Sequence, residues 1–157
     1  MTLATVLRAI EEAFPVVARR PDEELMEHKT GCTLCDCERQ WILERSQPYP
    51  TELSDDAVRG ISLELSCYSA AGLQWVMPSL ARAALKNSGG DDLVAERWVI
   101  SLANSQSGSE NRRRLRWLTR QQIAALVALF NFKFDQTDRS YRTDIAKAIS
   151  LLRTLKS

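Results

Sequence analysis

The sequence predicts an all-α protein, a single-domain irregular bundle of five to seven helices around a central, proline-containing helix over 69–86. Three observations predict it. The stretch Ser69 to Lys86, SAAGLQWVMPSLARAALK, wraps at about 100° per residue so that Gln74, Pro78, Ser79, Arg82 and Lys86 share one arc of about 140°. The rest of its surface carries Ala70, Ala71, Leu73, Val76, Met77, Leu80, Ala81, Ala84 and Leu85, so most sides must be covered by other elements. Elsewhere apolar residues recur at helical spacing, as in Val94-Trp98-Leu102 and Ile145-Ile149-Leu152. Finally, the one stretch that also reads as a strand, Arg97 to Leu102, has no obvious partner strand.

In chain order, Thr5 to Phe14 puts Val6, Ile10 and Ala13/Phe14 on one stripe, and Pro15 ends that helix. Arg19 to Glu27 is charged, contains Pro21 and reads as a loop with room for one helical turn. His28 to Cys37, HKTGCTLCDC, is the densest chemical stretch, followed by a helix from Glu38 to Arg45 with Trp41 and Ile42 facing inward. SQPYPTEL is an extended connector, because two prolines bracket Tyr49. Ser54-Asp55-Asp56 signals an N-cap for a short helix to about Ile61, and Leu63 to Cys67 leads into the central helix.

Ser69 can cap the central helix with its hydroxyl. Pro78 removes one backbone donor opposite the Gln74 carbonyl, which water can satisfy if the polar arc meets solvent. Asn87-Ser88-Gly89-Gly90 stops the helix, and Asp91 or Asp92 caps the next, Leu93 to Leu102. Asn104 to Asn111 is a polar loop. Thr119 caps a helix from Arg120 to about Phe134, with Ile123, Leu126, Val127 and Phe130 inward. Asp135 to Asp138 turns the chain into a last helix, Ser140 to Leu155.

A chain of 157 residues is one domain's worth, 1–157, and buries enough surface to fold without disulfides. A net charge of +1 gives no global electrostatic attraction to nucleic acid or membrane. No apolar run approaches the roughly 20 residues of a membrane span. The opening helix carries Arg8, Glu11 and Glu12 where a secretory leader would be uncharged, so the protein is expected to be cytoplasmic. Its four cysteines are then expected to be reduced, and a cluster among them points to metal or redox chemistry before a disulfide.

Leu65-Ser66 followed by SAAGLQWVMPSLARAAL resembles a leucine-serine, Ser/Thr-cap, aromatic, Leu-Pro, Ala-Leu signature of a family of short bacterial proteins of unknown function. LRWLTRQQIAALVALF resembles that family's second signature, and the Cys-x-x-Cys with Trp41 is similar to its N-terminal part. The likeness spans roughly residues 5 to 155 and is carried by core and capping residues. It implies an all-helical architecture and no particular activity.

His28, Cys32, Cys35 and Cys37 are the candidate metal ligands, with zinc as the candidate cofactor. A Cys-x-x-Cys turn can present two thiolates to one ion, Gly31 helps the chain turn, and His28 and Cys37 could complete a tetrahedron. Four ligands within ten residues make a cramped loop, and Cys67 is an alternative fourth if the fold brings it near. Reduced thiols packed under a loop, or thiol redox chemistry, are the competing readings.

Arg112, Arg113, Arg114, Arg116 and Arg120, around Trp117, form a second candidate, a basic run that could meet an acidic protein partner. The plainer reading of the run, and the first, is a solvated helix start and loop. Nucleic acid is the weakest option, for no helix-turn-helix spacing or RNA-binding signature accompanies the run. Trp75 falls inside the polar arc of the central helix, where it is either covered by the connector around Tyr49 or exposed as a partner anchor.

No phosphate loop, nucleophile elbow or helical His-Glu pair is present. The adjacent carboxylates Glu11/Glu12 and Asp55/Asp56 suit capping better than acid–base work. The leading expectation is therefore a non-catalytic cytoplasmic accessory protein, antitoxin-like (an immunity protein), that binds another protein through a charged surface. The alternative is a zinc-binding protein with a structural or catalytic site at His28, Cys32, Cys35 and Cys37. A nucleic-acid-associated regulator is the weaker third.

Overall fold

Helix α5, Ala70–Lys86, sits at the centre of an all-α architecture and is buried along most of its circumference. The computed structural model of the chain describes residues 1–29, 31–46, 50–63, 65–86, 93–104, 108–136 and 139–155, apart from the side chains at 22, 23, 93, 139 and 140. Among these residues there are nine α-helices, two more than the upper end of the five to seven expected, because Asp22–Leu25 and Gly108–Arg114 also coil. In order they are α1 Leu3–Ala13, α2 Asp22–Leu25, α3 Thr33–Arg45, α4 Asp55–Leu63, α5, α6 Leu93–Ala103, α7 Gly108–Arg114, α8 Arg120–Gln136 and α9 Arg139–Thr154. A 3-10 turn, Leu65–Cys67, precedes α5. The described residues contain no strand, only an isolated antiparallel bridge between Met26 and Tyr68. Arg97 to Leu102 is therefore helical, within α6.

The helices begin where side chains can satisfy the first backbone donors. Ser54 Oγ accepts from the Ala57 amide, and Ser69 Oγ accepts from the Gly72 amide at 3.0 Å. At α8 the cap is reciprocal: Thr119 Oγ1 accepts from the Gln122 amide, and Gln122 Oε1 accepts from the Thr119 amide at 2.9 Å. The expected stop at Asn87–Gly90, the cap at Asp91 or Asp92, the Pro48–Tyr49 part of the connector and the turn at 137–138 lie outside the described residues.

The amphipathic stripes pack α5 between α1, α2, α4, α6, α7 and α8, while α9 lies on α6 and α8. Helix α3 is held at the edge by α2, α4 and the 3-10 turn. Gly60 of α4 leaves room for the Trp41 ring, and a Cβ there would overlap it. Leu80 of α5 is fully buried. Leu80→Ala is expected to cost about 2–5 kcal/mol through lost contacts and the cavity left behind, read from denaturant unfolding midpoints.

The polar arc of α5 does not all meet solvent. Ser79 is 3% exposed, and its hydroxyl accepts from the Leu53 amide at 3.1 Å. The chain after Pro50 thus runs over this face and uses Ser79 as an acceptor for a buried donor. Arg82 is half-buried and donates to the Phe14 carbonyl at 2.9 Å, which ties the end of α1 to α5. Trp75, proposed from sequence as an exposed partner anchor, is 3% exposed. That role is corrected, because the ring is buried and not offered to a partner.

Candidate metal centre

Cys32 and Cys35 sit at the start of a helix, not in a loop. Cys32 is the N-cap of α3 and Cys35 lies in its first turn. The turn into the helix goes through Gly31, whose φ of +79° is in the left-handed region that favours glycine. Two further contacts fix the approach. Arg39, in the second turn of α3, donates to the carbonyls of His28 and Lys29 at 3.0 and 2.9 Å while pairing with Asp36. The Met26–Tyr68 bridge holds the preceding residues, with the Glu27 amide on the Cys67 carbonyl at 2.7 Å and the Ser69 amide on the Leu25 carbonyl at 3.0 Å.

Three potential ligand atoms converge in consequence. One ring nitrogen of His28 and the sulfurs of Cys32 and Cys35 all lie within 4.8 Å of one another. His28 Nδ1 is 3.4 Å from Cys35 Sγ. Bonds of about 2.3 Å to sulfur and 2.0–2.1 Å to nitrogen at a tetrahedral angle give an S···N edge of about 3.6 Å, so this edge is already near the length a metal needs. This donor set could hold a metal ion. His28 is exposed, Cys32 half-buried and Cys35 buried. The Cys35 amide and thiol hold the Cys32 thiol below its ordinary pKa, whereas burial, and then the Cys32 thiol, push Cys35 above it.

Cys37 stands outside this group. With α3 starting at Thr33, Cys35 and Cys37 are about 200° apart around the helix, so they cannot share an ion. Cys37 is exposed and lines a shallow outer depression with Thr33, Gln40 and Trp41. The four-ligand set built from His28, Cys32, Cys35 and Cys37 is corrected accordingly. Cys67, the alternative, is buried and also stands outside this group, with its backbone carbonyl 4.0 Å from the Cys35 thiol.

Sequence reasoning missed the support behind the site. Tyr68 Oη donates to Glu38 Oε1 at 2.6 Å in the interior, joining α3 to the residue after Cys67. Arg114 Nε donates to the Tyr68 carbonyl at 2.9 Å, and its terminal nitrogen donates to the Leu65 and Tyr68 carbonyls. No spacing marks these pairs, which are 30 and 46 residues apart.

The arginine run is also divided by the fold. Asn111 and Arg114 share the inner face of α7 and are 5% and 4% exposed, so Arg114 is a core residue and not a partner contact. Its burial lowers the guanidinium pKa. Arg113 is exposed but forms an ion pair with Glu27, while Arg112, Arg116 and Arg120 are exposed. Trp117 is half-buried beside a crevice of about 600 Å³ between Pro78 of α5 and the chain after α1. No described helix is long and apolar enough to cross a membrane. No protein-family model, curated protein or solved structure matches the chain.

Proposed function

We propose that the protein is a non-catalytic, cytoplasmic binding protein stabilised by zinc held on His28, Cys32 and Cys35. The observation that carries this reading is the convergence of one imidazole nitrogen and two sulfurs within 4.8 Å, with one edge near the tetrahedral length. Thiolates with an imidazole suit zinc and disfavour calcium or magnesium, which take oxygen ligands. The ion would join the segment leaving α2 to the first turn of α3. Exposed Arg112, Arg116 and Arg120 would be the basic surface offered to an acidic protein partner, a smaller patch than the five arginines of the sequence run.

Elemental analysis of protein purified without a metal-affinity step tests the metal reading. About one zinc per chain is expected, lost in Cys35→Ser together with thermal stability. Substoichiometric zinc in the folded wild-type protein would overturn it. Cys37→Ser is expected to keep the zinc, because Cys37 lies on the other side of α3.

A further inference from the structure

We infer that Cys32 and Cys35 are a reversible dithiol–disulfide pair, through which a hydroperoxide turns the zinc-holding start of α3 into a disulfide and expels the ion. The inference rests on the metal reading above and gives that centre a means of regulation. The geometry of the pair carries it. The two sulfurs lie within 4.8 Å of each other, and both residues are free thiols. Oxidant meets one of them first, since Cys32 is half-buried and Cys35 is 2% exposed. The reachable residue is also the one that can move. Cys32 is the N-cap of α3, with extended backbone (φ −108°, ψ 106°) and no capping hydrogen bond from its side chain, whereas Cys35 is fixed inside the first turn. Gly31 before it stands in open space, with no atom within 4 Å of where a Cβ would be. Residues three apart on a helix are about 5–6 Å apart at Cβ, and a disulfide needs about 3.5–4.5 Å. Closure therefore asks for a shift of about 1 Å at Cys32, outside the helical hydrogen bonds, and none at Cys35.

The chemistry balances with one hydrogen peroxide. The Cys32 sulfur attacks it, an S–O bond forms as the O–O bond breaks, and hydroxide leaves. The Cys35 sulfur then attacks the Cys32 sulfur, the S–S bond forms, the S–O bond breaks and a second hydroxide leaves. The two thiolates lose two electrons, the peroxide gains them, and two protons from solvent convert the hydroxides to water. A disulfide no longer presents two thiolates, so His28 is the one ligand left and the ion departs. Cys37 cannot replace them, because it lies about 200° away around α3. The Arg39 bonds to the His28 and Lys29 carbonyls involve no sulfur and persist, so the change is confined to the centre. Thiol–disulfide exchange with a reducing dithiol returns both ligands, as a switch in a reducing compartment requires.

The test treats the full wild-type chain, loaded with zinc, with hydrogen peroxide. About one equivalent of zinc should pass to a chromogenic chelator, and the four thiols of the chain, titrated in denaturant, should fall by about two. Proteolysis before Asp36 separates Cys35 from Cys37, so the disulfide should be found inside the peptide that ends at Cys35. Dithiothreitol should then restore the thiols and zinc binding. Cys37→Ser should release zinc at the wild-type rate. Zinc retained after treatment, a disulfide that includes Cys37 or Cys67, or thiols that dithiothreitol does not recover would overturn the inference while leaving the metal site standing. Failure of the untreated chain to bind zinc would overturn the metal reading, and the expulsion of zinc with it.

Discussion

Arg114→Met is expected to destabilise the protein by about 2–6 kcal/mol, although it preserves most of the side chain's apolar length. The guanidinium is 4% exposed and donates to the carbonyls of Leu65 and Tyr68, at the two ends of the passage from the 3-10 turn into α5. Removing the donor takes away the charge-assisted hydrogen bonds to both buried carbonyls, each worth about 1.5–3 kcal/mol, although the Leu65 carbonyl still accepts the Tyr68 amide at 3.3 Å. Removing the charge also relieves a desolvation penalty, which its attraction to Glu27 and Glu110 only partly offsets. The hydrogen bonds are expected to dominate, because a long apolar side chain cannot relax two backbone oxygens toward solvent. Arg112→Ser, on the exposed side of the same short helix, should stay within about 0.5 kcal/mol. Denaturant unfolding of the two variants reads the difference. Equal midpoints would show that Arg114 is not the latch between α7 and the start of α5.

Features that depend on neighbours along the chain were legible in the sequence. Ser54, Ser69 and Thr119 act as caps because a cap needs only a hydroxyl and an amide two or three residues on. The apolar wrap of Ser69 to Lys86 called for cover on most sides, and six helices supply it. Features set by distant segments were not legible. Five arginines look alike in a row, and only the placement of α7 beneath Tyr68 turns Arg114 inward. Ser79 looked like a surface residue because its partner, the Leu53 amide, arrives from 26 residues away.

The candidate centre combines both kinds of information. Cys-x-x-Cys announced the pair, since that spacing brings two sulfurs together in a turn or in the first turn of a helix. The inclusion of Cys37 followed from expecting a loop up to Glu38. The helix in fact starts at Thr33, and its period sends Cys37 to the far side. Cys67, named from the sequence as an option, stays outside the group, and only its carbonyl comes to the Cys35 thiol, at 4.0 Å.

Gly72→Ala is expected to cost an amount comparable to the loss of Arg114, although alanine is the better helix former by up to about 1 kcal/mol. Gly72 lies in the first turn of α5 with ordinary helical backbone, so the reason is space and not conformation. A Cβ there would overlap the Leu25 carbonyl oxygen, and it would stand 3.1 Å from the Leu25 carbonyl carbon and 3.2 Å from Tyr68 Cδ1. The oxygen cannot swing aside cheaply, because it accepts the Ser69 amide at 3.0 Å, and Ser69 in turn caps α5 and donates through its hydroxyl to the Glu24 carbonyl. Relief requires α2 to lift from α5, which would strain the Met26–Tyr68 bridge. A penalty at or above the upper end of about 1–3 kcal/mol for overpacking is therefore expected. The same displacement would move His28 away from Cys35, so zinc affinity should fall along with the unfolding midpoint. Leu80→Ala, by contrast, should lower stability and leave zinc affinity near wild type, because its cavity opens among the crossing helices rather than at the α2–α5 contact. A Gly72→Ala protein of wild-type or greater stability would mean that α2 does not rest on the first turn of α5, and the positioning of His28 through that contact would fall with it.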